Sequence, residues 1–69
     1  MHNARFTELM DLAEGFGFRL DRIRGSHHVF VHPHVPEVIN LQPEGSQAKA
    51  YQIRQLLRLI EEYELHLEE

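Results

Sequence analysis

Residues 24–33 read Arg-Gly-Ser-His-His-Val-Phe-Val-His-Pro, and this stretch predicts the centre of the fold. Gly25-Ser26 has turn chemistry, and the six residues after it alternate with the two-residue period that is typical of a strand. The alternation places His27, Val29 and Val31 on one face of the strand and His28, Phe30 and His32 on the other. A turn followed at once by a strand predicts a hairpin whose second strand begins at His27.

The residues before the turn predict a helix and then a strand. Apolar residues recur at helical spacing at Phe6, Leu9, Met10 and Ala13. This helix is expected to begin at Thr7 or to be capped by Asn3, and to end at Gly15. From Phe16 the period changes to two, so residues 16–21 predict a half-buried first strand.

The second half of the chain predicts a third strand and a last helix. Residues 38–42 read as a short strand, after a connection at residues 33–36 whose prolines do not suit a central strand. Apolar residues then recur at helical spacing at Ile53, Leu56, Leu57 and Ile60. The order predicts an α+β fold, α-β-β-β-α, with a three-stranded antiparallel sheet and two helices on one face. The 69 residues are expected to form a single domain, 1–69.

Composition and charge limit the setting and the partners. The chain has no cysteine, which is compatible with the reducing cytoplasm that we expect for it. It has no signal-peptide pattern and no apolar run near the roughly 20 residues that span a bilayer, so no membrane partner is expected. The net charge is −4, but the first 60 residues hold all 7 Lys and Arg with only 6 of the 11 acids. Because salt screens charges beyond about 10 Å, the acidic end does not exclude a nucleic-acid partner.

His27 is the candidate catalytic residue, because it begins a strand beside a glycine turn and close to several arginines. Imidazole exchanges protons near neutral pH, and guanidinium groups bind phosphate oxygens. This combination suits cleavage of a phosphodiester. The candidate RNA contacts are Arg22, Arg24, Ser26, Lys49 and Arg54. The plainer interpretation is that His27 is a half-exposed strand residue without a role and that the arginines are a solvated surface.

Four histidines, at positions 27, 28, 32 and 34, also raise the question of a metal. His28 and His32 share a strand face, but at about 3.3 Å per residue they lie roughly 13 Å apart, too far to bind one ion. We therefore expect no metal and no cofactor, and we assign both residues to packing.

The chain as a whole resembles the HicA toxin family, the small ribonuclease partner in bacterial toxin–antitoxin pairs. The resemblance rests on the first helix ending in Gly-Phe, on residues 25–33 and on Ile53-Arg54-x-Leu56-Leu57, and it covers about residues 6–60. It implies a double-stranded-RNA-binding-like fold, cleavage of mRNA and neutralisation by a HicB-like antitoxin. It also implies that the catalytic histidine directly follows the turn, which makes it His27.

Two functions are open on the sequence. The first is a HicA-like endoribonuclease toxin, a monomer or weak dimer when free, whose antitoxin covers His27. The second is a non-catalytic RNA- or protein-binding module with the same fold. The second is favoured by Gln42-Pro43-Glu44, which replaces the Pro-x-His of many members, and by the acidic C-terminal end, whereas the intact Gly25-Ser26-His27-His28 favours the first. The chain also has Lys49-Ala50-Tyr51-Gln52 where many members open the last helix with a Gly-Thr after a lysine.

Overall fold

The computed structural model describes residues 4–68 and has the order helix, three strands, helix. Helix α1 spans Phe6–Gly15, the strands are β1 (Arg19–Arg24), β2 (His27–His32) and β3 (Val35–Leu41), and helix α2 spans Ala50–Glu62. The strands form one antiparallel sheet in the order β1-β2-β3. The predicted α-β-β-β-α architecture is confirmed, and β2 is the central strand.

The first strand begins later than its alternating pattern predicts. Residues 16–21 were expected to form it, whereas β1 begins at Arg19 and continues to Arg24. Phe16 and Gly17 instead form the turn after α1, and Gly17 has a φ of +95°, a conformation that favours glycine. Phe18 is buried before the strand starts. Residues 16–18 therefore alternate as a strand does but form the turn between α1 and β1 and the approach to β1.

The start of α1 also differs from the expectation. Arg5 precedes the first helical residue, Phe6, so the helix begins one residue before Thr7. The Arg5 backbone N–H donates to the Glu8 carboxylate at 2.9 Å, which satisfies one amide outside the helical hydrogen-bond ladder. The alternative cap, Asn3, lies outside the described residues. The predicted end at Gly15 is confirmed.

The third strand is longer than predicted and contains a proline. It was expected at residues 38–42, whereas β3 begins at Val35 and ends at Leu41, with Pro36 inside it. Because β3 is an edge strand, a residue without an N–H group can face the unpaired side of the sheet without loss of a ladder hydrogen bond.

Both helices pack on one face of the sheet around one core. Its buried residues are Phe6, Leu9, Ala13, Phe18, Phe30, Val35, Ile39, Leu41, Leu56 and Leu59. The helical spacing of Ile53, Leu56, Leu57 and Ile60 predicts that all four belong to the core. For Leu57 this is wrong, since it is 49% exposed, while Leu59 and Gln52 are buried instead. The buried side of α2 therefore runs through Gln52, Leu56 and Leu59 rather than through the predicted apolar stripe. Ile53 and Ile60 pack only partly against the core.

The opposite face of the sheet carries no helix in residues 4–68. Val29 belongs to this face, because it lies outside the core cluster although it is only 6% exposed. Its cross-strand neighbours are Arg22 on β1 and Asn40 on β3. We call the sheet surface that contains Val29 and His27 the open face.

Neither helix of the described chain is long and apolar enough to cross a membrane.

Candidate active site at the start of strand β2

A two-residue turn brings β1 and β2 together at the first candidate residue. Gly25 has a φ of +58°, and a Cβ atom there would meet nothing within 4 Å, so backbone conformation rather than space favours glycine. The turn pairs Arg24 directly with His27. Side chains of such pairs lie on the same face, with Cβ atoms about 4.5–5.5 Å apart. The hairpin therefore places the Arg24 and His27 side chains next to each other on one face of the sheet.

His27 is oriented by a residue from the third strand. Its Nδ1 atom lies 3.2 Å from Oδ1 of Asn40, the cross-strand neighbour of Val29. An amide oxygen only accepts hydrogen bonds, so the neutral ring donates from Nδ1 and has its lone pair on Nε2. The contact thus leaves Nε2 as the nitrogen that can accept a proton. Sequence reasoning missed Asn40, although its place in an alternating strand gives it the same face.

A bulge in β1 puts a third arginine on the open face. Arg22 pairs with Val29 and Arg19 pairs with Val31, so both arginines lie on the same face of the sheet as Arg24 and His27. This is possible because the register shifts between Leu20 and Arg22. Strict alternation from Arg24 would instead place Leu20 on this face and Arg19 on the other. Arg19 is exposed on this face, and sequence alternation alone does not place it there.

The electrostatic character of this surface is set by exposed groups. Arg22 is paired with Asp21 at 2.6 Å, and both side chains are about half exposed, so solvent and salt weaken the pair. Arg24 makes no hydrogen bond or ion pair within the described residues. The open face near His27 therefore offers guanidinium donors that an anionic ligand can reach.

The end of β3 is held by a buried glutamine from α2. The Gln52 Oε1 atom accepts the Gln42 backbone N–H at 3.0 Å, and its Nε2 atom donates to the Asn40 backbone oxygen at 3.1 Å. The carboxamide therefore satisfies the outer edge of β3 as a neighbouring strand would. Gln52 is 3% exposed. It fixes the strand position that carries Asn40, and the helical periodicity gave no sign of this role.

The other predicted contacts lie around this site without all meeting at His27. Ser26 is in the turn, and its hydroxyl accepts from Nε2 of Gln42 at 2.9 Å. Lys49 immediately precedes α2, and Arg54 is exposed on that helix. Within residues 4–68, no hydrogen bond or ion pair joins Lys49 or Arg54 to His27. The structure thus pairs Arg24 with the histidine, whereas Lys49 lies just before α2 and Arg54 lies on it.

The neighbouring histidines have structural contacts. His28 is half-buried, and its ring meets Phe6 edge-on with centroids 4.9 Å apart. His32 is 8% exposed; its Nε2 faces the Phe16 carbonyl at 3.1 Å, and its Nδ1 accepts the His34 backbone N–H at 3.0 Å. Both assignments to packing agree with these contacts. In residues 4–68 no three His, Cys, Asp or Glu side chains are grouped to hold a metal ion.

These features define a small α+β protein that presents one oriented histidine and several arginines on the open face of a three-stranded sheet. A family model described as the HicA toxin of bacterial toxin–antitoxin systems matches residues 6–61. The chain belongs to the HicA toxin family, and the resemblance inferred from its sequence is confirmed. A toxin of this family pairs with an antitoxin. No curated protein matches the chain.

Proposed function

We propose that this HicA-family protein is an endoribonuclease that cleaves mRNA in the cytoplasm, with His27 as its catalytic residue. The observation that carries the proposal is the 3.2 Å contact between Nδ1 of His27 and Oδ1 of Asn40. It leaves Nε2 available on the face that also carries Arg22 and Arg24. The family match supports the toxin role, and the geometry supports acid–base chemistry at this histidine.

In the proposed reaction, Nε2 of His27 accepts the proton of a ribose 2′-hydroxyl as its oxygen attacks the adjacent phosphorus. The bond from phosphorus to the 5′-oxygen of the next nucleotide breaks, and that oxygen takes a proton from water or the imidazolium. The products are a 2′,3′-cyclic phosphate and a 5′-hydroxyl, and no metal or cofactor takes part. Arg22 and Arg24 stabilise the negative charge that develops on the phosphate oxygens.

The proposed RNA contacts extend beyond the reacting phosphate. Ser26 lies in the turn next to His27, while Lys49 and Arg54 lie at the start of α2. Phosphate contacts of this kind fix the position of the RNA without reading its sequence. Their contribution is expected to fall with added salt, since each neutralised phosphate releases counterions.

The proposal is tested with purified protein and a defined single-stranded RNA in the presence of EDTA. General acid–base catalysis contributes about 10²- to 10⁴-fold, so His27→Ala should slow cleavage by that factor. The matched control is His34→Ala, because His34 is also exposed but lies in the turn beyond the other end of β2. An RNA with 2′-deoxyribose at the cleaved position should resist the wild-type protein. Equal rates for wild type and a folded His27→Ala protein would falsify the assignment.

Expression in a bacterium gives the cellular counterpart of this test. Wild type should arrest growth with loss of mRNA, whereas His27→Ala at the same soluble level should do neither. Co-expression with a HicB-like protein, the partner that we propose covers His27, should restore growth and block cleavage in vitro. Free toxin is expected to sediment as a monomer or weak dimer. Continued mRNA loss with the partner in excess would contradict the proposed coverage of His27.

A non-catalytic RNA- or protein-binding module is the second candidate function. It is favoured by Gln42-Pro43-Glu44 after β3, where many family members have Pro-x-His, and by five acids in residues 61–69. In the structure Gln42 contacts Ser26 and Gln52, so this position is used for local structure. RNA binding without cleavage by wild type would select this second function.

A further inference from the structure

The start of α2 and the end of β3 form a cleft that has His27 in its wall. Its volume is about 270 Å³, and its other lining residues are Val38, Asn40, Gln42, Tyr51, Gln52 and Gln55. This is just below the roughly 300–1,000 Å³ of sites for drug-sized ligands, so it suits a single ring-sized group. No Asp, Glu, Lys or Arg lines it. Its polar surface consists mainly of neutral carboxamides.

Tyr51 supplies an aromatic surface at this cleft. It is 56% exposed, so a ligand can reach its ring. Its hydroxyl accepts a hydrogen bond from Nε2 of Gln52 at 3.2 Å, and Gln52 is itself held by the backbone of β3. The exposed ring is therefore tethered to a buried side chain, so its stacking face is oriented before any ligand arrives.

The carboxamides offer hydrogen-bonding groups next to that ring. The Gln42 side chain uses Nε2 for Ser26, which leaves its Oε1 atom as an acceptor. Within residues 4–68 the Gln55 side chain makes no hydrogen bond, so it presents both a donor and an acceptor. Donors and acceptors beside an aromatic face are the groups that recognise an unstacked nucleobase in single-stranded RNA.

We propose that this cleft is a nucleobase subsite, in which Tyr51 stacks on one unpaired base and Gln42 and Gln55 contact its edge. The inference rests on the proposed ribonuclease function and adds the substrate feature that is recognised beside His27. Because His27 forms part of the wall, a base in the cleft brings its own ribose and phosphate towards Nε2. Arg54 follows Tyr51 by three helical residues and is therefore placed to contact an adjoining phosphate. Duplex RNA hides its bases in stacked pairs, so the subsite selects single strands.

Binding and cleavage are measured separately to test the subsite. A single-stranded RNA with 2′-O-methyl riboses, which lacks the attacking hydroxyl, is the probe for fluorescence anisotropy. Tyr51→Ala should weaken its binding about 5- to 150-fold, the range expected for loss of one stacked base. Tyr51→Phe keeps the ring and loses only its hydrogen bond to Gln52, so its binding should lie between that of the alanine variant and that of wild type. Gln55→Ala should change the order of preference among the four nucleoside monophosphates. Leu57→Ala, which removes another exposed apolar side chain from α2, is the control and should bind as wild type does.

A second measurement locates the base without any need for activity. Amide shifts of residues at the cleft should move with nucleoside 5′-monophosphates and stay still with ribose 5-phosphate, which has no base. The subsite is overturned if ribose 5-phosphate causes the same shifts, or if Tyr51→Ala binds the probe normally and weakens only antitoxin binding. A wild type that binds bases through Tyr51 but never cleaves RNA would refute the proposed catalysis and leave the subsite supported.

Discussion

Replacing Gln52 with alanine should destabilise the fold far more than is usual for a polar residue outside the apolar stripe of a helix. Its carboxamide makes two backbone hydrogen bonds, to Gln42 just after β3 at 3.0 Å and to Asn40 in β3 at 3.1 Å, and the side chain is 3% exposed. A buried hydrogen bond of this kind contributes about 0.5–1.5 kcal/mol net, and its loss leaves backbone groups without a partner. Loss of the two hydrogen bonds and of the methylene packing should together lower the free energy of unfolding by about 2–3 kcal/mol.

This loss is large for so small a protein. A stability of about 0.05–0.15 kcal/mol per residue gives the whole chain roughly 3–10 kcal/mol. Domains of this size change Tm by about 4–8 °C per kcal/mol, so Gln52→Ala should lower Tm by about 10–20 °C. Thermal unfolding followed by far-UV circular dichroism measures the shift. Urea unfolding should show a lower midpoint with an unchanged slope.

Two further variants separate hydrogen bonding from loss of volume. Gln52→Glu keeps the size and the acceptor for the Gln42 N–H, but it replaces the donor to the Asn40 oxygen with a second acceptor. It should therefore be at least as unstable as the alanine variant near neutral pH. Gln55→Ala, one turn along α2 and without hydrogen bonds in residues 4–68, should change stability by under about 0.5 kcal/mol. A Tm for Gln52→Ala within 3 °C of Gln55→Ala, on the order of 0.5 kcal/mol, would refute the reasoning.

Three other outcomes follow from single contacts. Asn40→Ala should let the His27 proton move between both ring nitrogens, and the ¹⁵N shifts of the two nitrogens should converge. The same variant should slow cleavage by lowering kcat rather than by raising KM. Unchanged ¹⁵N shifts would contradict the tautomer assignment. Gly17→Ala should lower the free energy of unfolding by about 1–3 kcal/mol, because φ is +95° and the new Cβ would lie 2.8 Å from Nε2 of His32. Chemical denaturation measures this loss, and an unchanged free energy of unfolding would contradict the prediction. The Tyr63 phenol has its pKa raised above 10.0, first by burial and then by nearby carboxylates. The folded state therefore favours neutral Tyr63, and this stability is present below pH 10 and lost as pH rises through the raised pKa. Phenolate absorbance should appear late in an alkaline titration, and Tyr63→Phe should remove that late component.

Local patterns were enough to predict the order of the elements. The alternation of residues 27–32 after Gly25-Ser26 matches β2 to the residue, and Gly15 ends α1 as expected. These signals succeed because strand and helix periods are properties of consecutive residues and turns favour particular residue types. The alternation at residues 16–21 predicted a strand that begins too early, because Phe16 and Gly17 form a turn and Phe18 is buried before β1 starts.

The site itself was predicted only in part. His27 and Arg24 were identified because a tight turn makes them neighbours in sequence as well as in space. Asn40 was missed, since its contact with His27 joins residues 13 positions apart on two strands. Gln52 was placed outside the apolar stripe of α2, since helical periodicity does not reveal how a helix rotates against an edge strand.

By itself, the sequence determined the element order, the hairpin turn, the histidine that follows it and the resemblance to the HicA toxin family. Each of these depends on nearby residues or on a short motif. Only the tertiary structure decided that the β1 bulge turns Arg19 towards the open face, that Asn40 orients His27, and that Tyr51 faces a cleft at the end of β3. Those features depend on strand register and helix rotation, which are set by how the whole core packs.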